Sequence, residues 1–173
     1  MFQNISNFYN TSDYLPILNG ALLTDFIFLF FIIFGIIKSP MLREWYSKYT
    51  LAAVIEDVLI LVIGIIITRF VYKYIFGNTF SLLYFTLLAI FIQIIHDFLF
   101  YLFFSVIPKG SNKMMDTFQE YAKEAKWRAI FGDSCMISLT SVLSSYLASL
   151  SLNTNIIIVI LTIYSIPYAL YTF

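Results

Sequence analysis

From Leu18 to Ile37 the chain carries one charged residue, Asp25. That run is close to the ~20 residues needed to cross a bilayer as an α-helix, which leaves few soluble destinations for it. Four more runs follow, at about 51–72, 80–107, 134–152 and 155–173. The runs are continuous rather than alternating, which argues against a transmembrane β-barrel, whose strands alternate apolar and polar residues. Of 173 residues, 61% are hydrophobic and 12% charged. A soluble domain has about a quarter of its residues charged, so this chain has too little polar surface to cover a globule. The sequence therefore predicts an all-α fold: one transmembrane domain over residues 1–173, a helical bundle of about five spans. The last run is barely long enough, so a four-span bundle with a re-entrant final segment stays open.

The loops give the orientation. Lys38, Arg43 and Lys48 fall in the first loop, and Lys109, Lys113, Lys123, Lys126 and Arg128 in the third. The positive-inside rule then makes those loops and the C-terminus cytoplasmic and the N-terminus non-cytoplasmic. The N-terminal stretch FQNISNFYNTSDY has no basic region or early apolar core, so it does not read as a cleaved leader, and the first span acts as its own insertion signal. Asn4 and Asn10 head glycosylation sequons on the predicted outer side. Ten Lys and Arg balance ten Asp and Glu, and no basic block points to nucleic acid. The single cysteine, Cys135, allows neither an internal disulfide nor a cysteine metal cage. No cofactor is predicted.

In the third loop, Met114, Met115, Phe118 and Tyr121 recur at helical spacing among charged residues. They predict an amphipathic helix over about 112–130, whose apolar face lies on the membrane or docks a protein partner or a second copy of the chain. No internal repeat is evident, and the lack of duplicated halves argues against a self-sufficient secondary transporter.

Ionisable residues inside a span cost about 2.5–3.5 kcal/mol on insertion scales, so each needs a partner or a task. Gln93, His96 and Asp97 are spaced i, i+3 and i+4, sharing one face near the middle of the longest span. With Asp57 they form the main intramembrane polar cluster. Asp57 shares a stripe with Ala53, Gly64 and Thr68 and should face the third span, while Glu56 is rotated about 100° away. Asp25 and Arg69 read as an ion pair. Gly132 followed by Asp133 reads as a helix end and then an N-cap opening the fourth span. Ser134, Ser138, Ser141 and Ser145 line one face of that span, for close packing or a hydroxyl-lined path.

The stretches WYSKYTLAAVIEDVLILVIGI and HDFLFYLFFSVIPKGSNKMMDTFQEYAKEAKWRAIFGDSCM lie within residues 45–136 and cover about half the chain. They resemble uncharacterised multi-span membrane proteins of giant (nucleocytoplasmic large) DNA viruses. The positions that carry the resemblance are Trp45, Asp57, His96, Asp97, Pro108, Gly110, Asn112, Tyr121, Gly132 and Asp133. The resemblance implies residence in a virion inner membrane or a host membrane, and no catalytic assignment. Three functions stay open at this point. The first is a structural or assembly protein that docks a partner on its cytoplasmic face. The second is a proton- or cation-handling protein using Asp57, His96 and Asp97, with any metal unknown. The third is a small intramembrane lipid-modifying enzyme built on Ser134 or Ser138, His96 and Asp57, for which no nucleophile elbow is present.

Overall fold

A computed structural model describes residues 2–173, and all regular structure among them is helical. A 3-10 turn at Thr11–Asp13 leads into α1 (Tyr14–Ile33), α2 (Pro40–Tyr49), α3 (Leu51–Phe76), α4 (Leu82–Ser105), α5 (Lys113–Ala125), α6 (Trp127–Leu147) and α7 (Leu152–Leu170). Five of these, all but α2 and α5, are long and apolar enough to cross a membrane, which makes the chain a multi-pass integral membrane protein. Their outward faces are mostly apolar. Ile55, Leu59, Ile63 and Ile67 form an exposed stripe along α3 at i,i+4 spacing, the surface that lipid tails would cover.

Caps set the helix starts. Ser39 accepts the Leu42 N–H ahead of Pro40 at the first helical position. Asn112 accepts the N–H groups of both Met114 and Met115. The amphipathic helix is shorter than the sequence suggests. It ends at Lys126, where φ is +52°, and α6 begins at once with Trp127. Asp133 is thus nearly two turns inside α6 and caps nothing, and the fourth span starts seven residues before Ser134. The reason is local: one left-handed residue turns the chain without a loop, so Gly132 is not needed as a breaker.

That joint occurs twice. Thr50, with φ +47°, separates α2 from α3 just as Lys126 separates α5 from α6. The order of span, short amphipathic helix, single left-handed residue and span holds for α1–α2–α3 and again for α4–α5–α6. In the sequence, Asp25-Phe-Ile-Phe-Leu-Phe-Phe matches Asp97-Phe-Leu-Phe-Tyr-Leu-Phe, and each Asp is nine residues before its helix's C-cap, Phe34 or Val106. Asp57 and Asp133 each lie seven residues beyond their joint. Packing follows the same pattern: α1 packs on α3 and α6, α4 packs on α6 and α3, and α3 meets α6 between them. The expectation of no repeat is therefore corrected. The fold contains two like units running in the same direction, with α7 added beside α1. The match is short and interrupted by helices of different length, α2 having 10 residues and α5 13, so no fixed period runs through the sequence.

Candidate functional site

The four aspartates marked by the duplication come from four helices and converge at the end of the bundle covered by α2 and α5. Asp25, on α1, is fully buried, with 0% of its surface exposed. The Tyr46 hydroxyl of α2 lies 2.8 Å from Asp25 Oδ1 and 2.8 Å from Asp57 Oδ2 of α3. The Trp45 indole N–H also donates to Asp57 Oδ2, at 3.1 Å. The Oδ2 atom of Asp25 has no partner. Two carboxylate oxygens 2.8 Å from one phenol oxygen are at most 5.6 Å apart. Two unit charges at that separation repel by about 3 kcal/mol at an effective dielectric of about 20. Burial and these two carboxylates push the Tyr46 phenol well above its ordinary value.

The second unit supplies the other pair. On α4, Gln93 Nε2 donates to Asp97 Oδ1 at 2.7 Å, and His96 Nδ1 lies 3.2 Å from the same oxygen. Asp97 Oδ2 and Gln93 Oε1 are buried and unpartnered. Asp133 of α6 lies within electrostatic range of Asp97 and Asp57. Tyr121 of α5 is pushed up by burial and then by Asp133, Asp57, Glu124 and Asp97. Among the described residues no lysine or arginine pairs with any of the four aspartates. The basic residues of this end sit on its surface, where Lys48 reaches Glu44 and Lys109 reaches Glu120, both at 3.5 Å. Among the described residues no three His, Cys, Asp or Glu side chains are arranged to hold a metal.

Several expectations need correction here. Asp57 faces Trp45 and Tyr46 of α2, not the Gln93–His96–Asp97 face, because α2 folds under the bundle and brings its aromatic donors to α3. His96 points outward: its side chain is 37% exposed and its ring stacks on Phe100. Only Gln93, 3% exposed, is fully inward, beside Gly64 and Ile137. Glu56 is exposed. Asp25 and Arg69 do not pair. They lie at opposite ends, since α1 begins at Tyr14 and puts Asp25 past its midpoint. Arg69 instead binds Asp13 Oδ2 at 3.0 Å and the carbonyls of Asn7 and Asn10. The α5 docking face is occupied from within the chain. Phe118 packs on Trp45, Phe100 and Phe104, and Met114 packs against the core. Met115 is half-buried, and Tyr121 turns toward the aspartates.

Three of the serine hydroxyls are turned back on the helix that carries them. Ser134, Ser138 and Ser141 each donate to the carbonyl one turn back, of Ile130, Ser134 and Ile137. Ser134 and Ser138 border a groove of about 510 Å³ between α4 and α6 that is otherwise lined by apolar residues and Cys135. With their protons committed to backbone, neither hydroxyl is set up as a nucleophile. Of the sequon residues, Asn4 is exposed, whereas Asn10 is half-buried and its amide donates to Asp13 at 3.0 Å.

Sequence reasoning missed Tyr46 and Trp45 as ligands of the aspartates and missed Asp25 as a member of the cluster. The repeated Asp-Phe-x-Phe-x-x-Phe stretch, aligned with its copy, would have grouped Asp25 with Asp97. Compared with known proteins, the chain matches no protein-family model, no curated protein and no solved structure.

Proposed function

We propose that this multi-pass membrane protein handles protons or cations through the four-aspartate cluster at its α2/α5 end. One observation carries the reading: Asp25 and Asp57 share the Tyr46 hydroxyl, Asp97 and Asp133 lie within electrostatic range of Asp57 or Tyr121, and among the described residues no lysine or arginine pairs with any of the four. Acids kept only to fasten helices would be paired, as buried charges cost several kcal/mol when they are not. Ionisable groups within membrane spans usually mark ion or proton routes. The duplicated unit adds support, since parallel repeats around a central axis are a common plan for small-molecule and ion transporters. Eight of ten basic residues lie at this end, so the proposal makes it cytoplasmic. The resemblance carried by the two stretches within residues 45–136 extends the proposal to a virion inner membrane or a host membrane.

The test is flux in liposomes holding the purified protein, read with pH- and cation-sensitive dyes. Asp57→Asn and Asp97→Asn should abolish it, while Glu44→Gln, exposed on α2, should not. No flux from the parent for protons, monovalent or divalent cations would sink the proposal. A structural or assembly role is the second reading. It draws on the tight fastening of α1 to α6 and α7, where Asn19 donates to Asn155 and Thr140 to Thr24.

A further inference from the structure

We infer that Asp25, Tyr46 and Asp57 form a proton-sharing site in which the two carboxyl groups hold one ionisable proton between them at neutral pH. The inference names the ion for half of the cluster and so rests on the ion-handling reading above.

Counting hydrogens leads to it. A phenol has one proton to donate. Tyr46 oxygen sits 2.8 Å from an oxygen of each aspartate, both within hydrogen-bonding distance for oxygen pairs. One contact can use the phenolic proton, and the other needs a proton on a carboxyl. The partners decide which. Asp57 Oδ2 also receives the Trp45 N–H, so it is the better stabilised anion. Asp25 is wholly buried, has no donor but Tyr46, and leaves Oδ2 unpartnered, so it is the weaker acid and the one that keeps the proton. The resting arrangement is then Asp25–O–H donating to the Tyr46 oxygen and the Tyr46 O–H donating to ionised Asp57. A concerted shift carries the Asp25 proton to Tyr46 and the Tyr46 proton to Asp57. It leaves Asp25 ionised, Asp57 neutral and the phenol intact, with one bond formed and one broken at each step.

Among the described residues no lysine or arginine pairs with Asp25 or Asp57. Glu56 neighbours Asp57 on α3, Asp133 of α6 lies within range, and α4 and α5 contribute Asp97, His96, Tyr121 and Glu124 to the same region. The nearby cations of α2 are engaged elsewhere: Arg43 lies over the Phe173 ring, and Lys48 is bound to Glu44 and Thr117. The duplicated half provides the contrast. The Thr50 N–H bonds the Tyr46 carbonyl and the Lys126 N–H bonds the Ala122 carbonyl, so alanine stands where a bridging tyrosine would be. Asp97 Oδ1 accepts instead from Gln93 Nε2 of its own helix.

Infrared spectroscopy of the full chain in lipid at neutral pH tests this. The parent should show a protonated-carboxyl stretch that moves in deuterated water. Asp25→Asn should abolish it, Tyr46→Phe should shift it, and Asp97→Asn should leave it. No such band in the parent, or a band that survives Tyr46→Phe unmoved, overturns the inference, and both readings stand even where Asp25→Asn does not fold. The spectrum is independent of transport. A missing band with Asp57-dependent cation flux defeats the shared proton and keeps ion handling; a band with no flux does the reverse.

Discussion

The two ends of the bundle treat buried polarity in opposite ways. At the N-terminal end the buried charges are paired with each other, although Arg69 Nε and Nη1 keep no hydrogen-bond partner. Arg69, 1% exposed, gathers two backbone carbonyls and Asp13, and lies 4.9 Å from the Tyr14 ring centre. Gln3 and Ser145 exchange backbone and hydroxyl bonds, so the N-terminal segment is held across the helix ends. Charge there meets opposite charge. At the α2/α5 end four acids meet two tyrosines, a tryptophan, a glutamine and His96, with no lysine or arginine paired to them among the described residues. The first end resembles a structural answer to burial, and the second bears a cost that folding alone does not explain.

That contrast can be sharpened by substitution. The largest effect is expected from Arg69→Met, which leaves Asp13 charged and buried. Thermal unfolding in detergent should show a loss of about 3–5 kcal/mol, as for breaking a buried pair. Gly20→Ala comes next. A Cβ there would lie 2.3 Å from Ser144 Oγ and 2.9 Å from Ser144 N, so α1 and α6 would be forced apart. Overpacking of this kind costs about 1–3 kcal/mol. A smaller effect appears at high pH. Tyr46 and Tyr121 are both raised when folded, so the folded state holds their protons more tightly than the unfolded chain does. Stability should be flat below the unfolded tyrosine value of about 10 and fall as pH rises past it. The double variant Tyr46→Phe, Tyr121→Phe should flatten that limb in melting-temperature profiles; an unchanged limb would break the comparison at this end. The smallest effect is expected at His96→Phe, within about 0.5 kcal/mol, because the ring is part-exposed and already stacked on Phe100.

Much of the architecture was legible from composition and periodicity. Five apolar runs became five apolar helices, and the span from Leu51 was read to its first residue. The amphipathic segment was found but its end was not, because a left-handed lysine leaves no signature of the kind that glycine or proline leaves. The candidate site was half legible. Asp57, Gln93 and Asp97 announced themselves by their depth in apolar runs, whereas Asp133 reads as a helix cap and proves to lie inside α6. Asp25 was assigned to Arg69 because a lone acid invites the nearest base, and only three-dimensional placement shows Asp13 taking that role. Tyr46 and Trp45 read as interfacial aromatics; their hydrogen bonds depend on α2 folding back under α1 and α3, which no local pattern encodes.

The central claim is that the aspartates of the α2/α5 end are kept for ions rather than for folding. The most direct test is the melting temperature of Asp57→Asn against the parent in detergent at neutral pH. Asparagine keeps an acceptor for Trp45 and Tyr46 and removes a charge from an acid-rich interior. The account predicts a melting temperature equal to the parent's or higher. A fall as large as that of Arg69→Met would contradict it and make the cluster a fastening like the one at the other end.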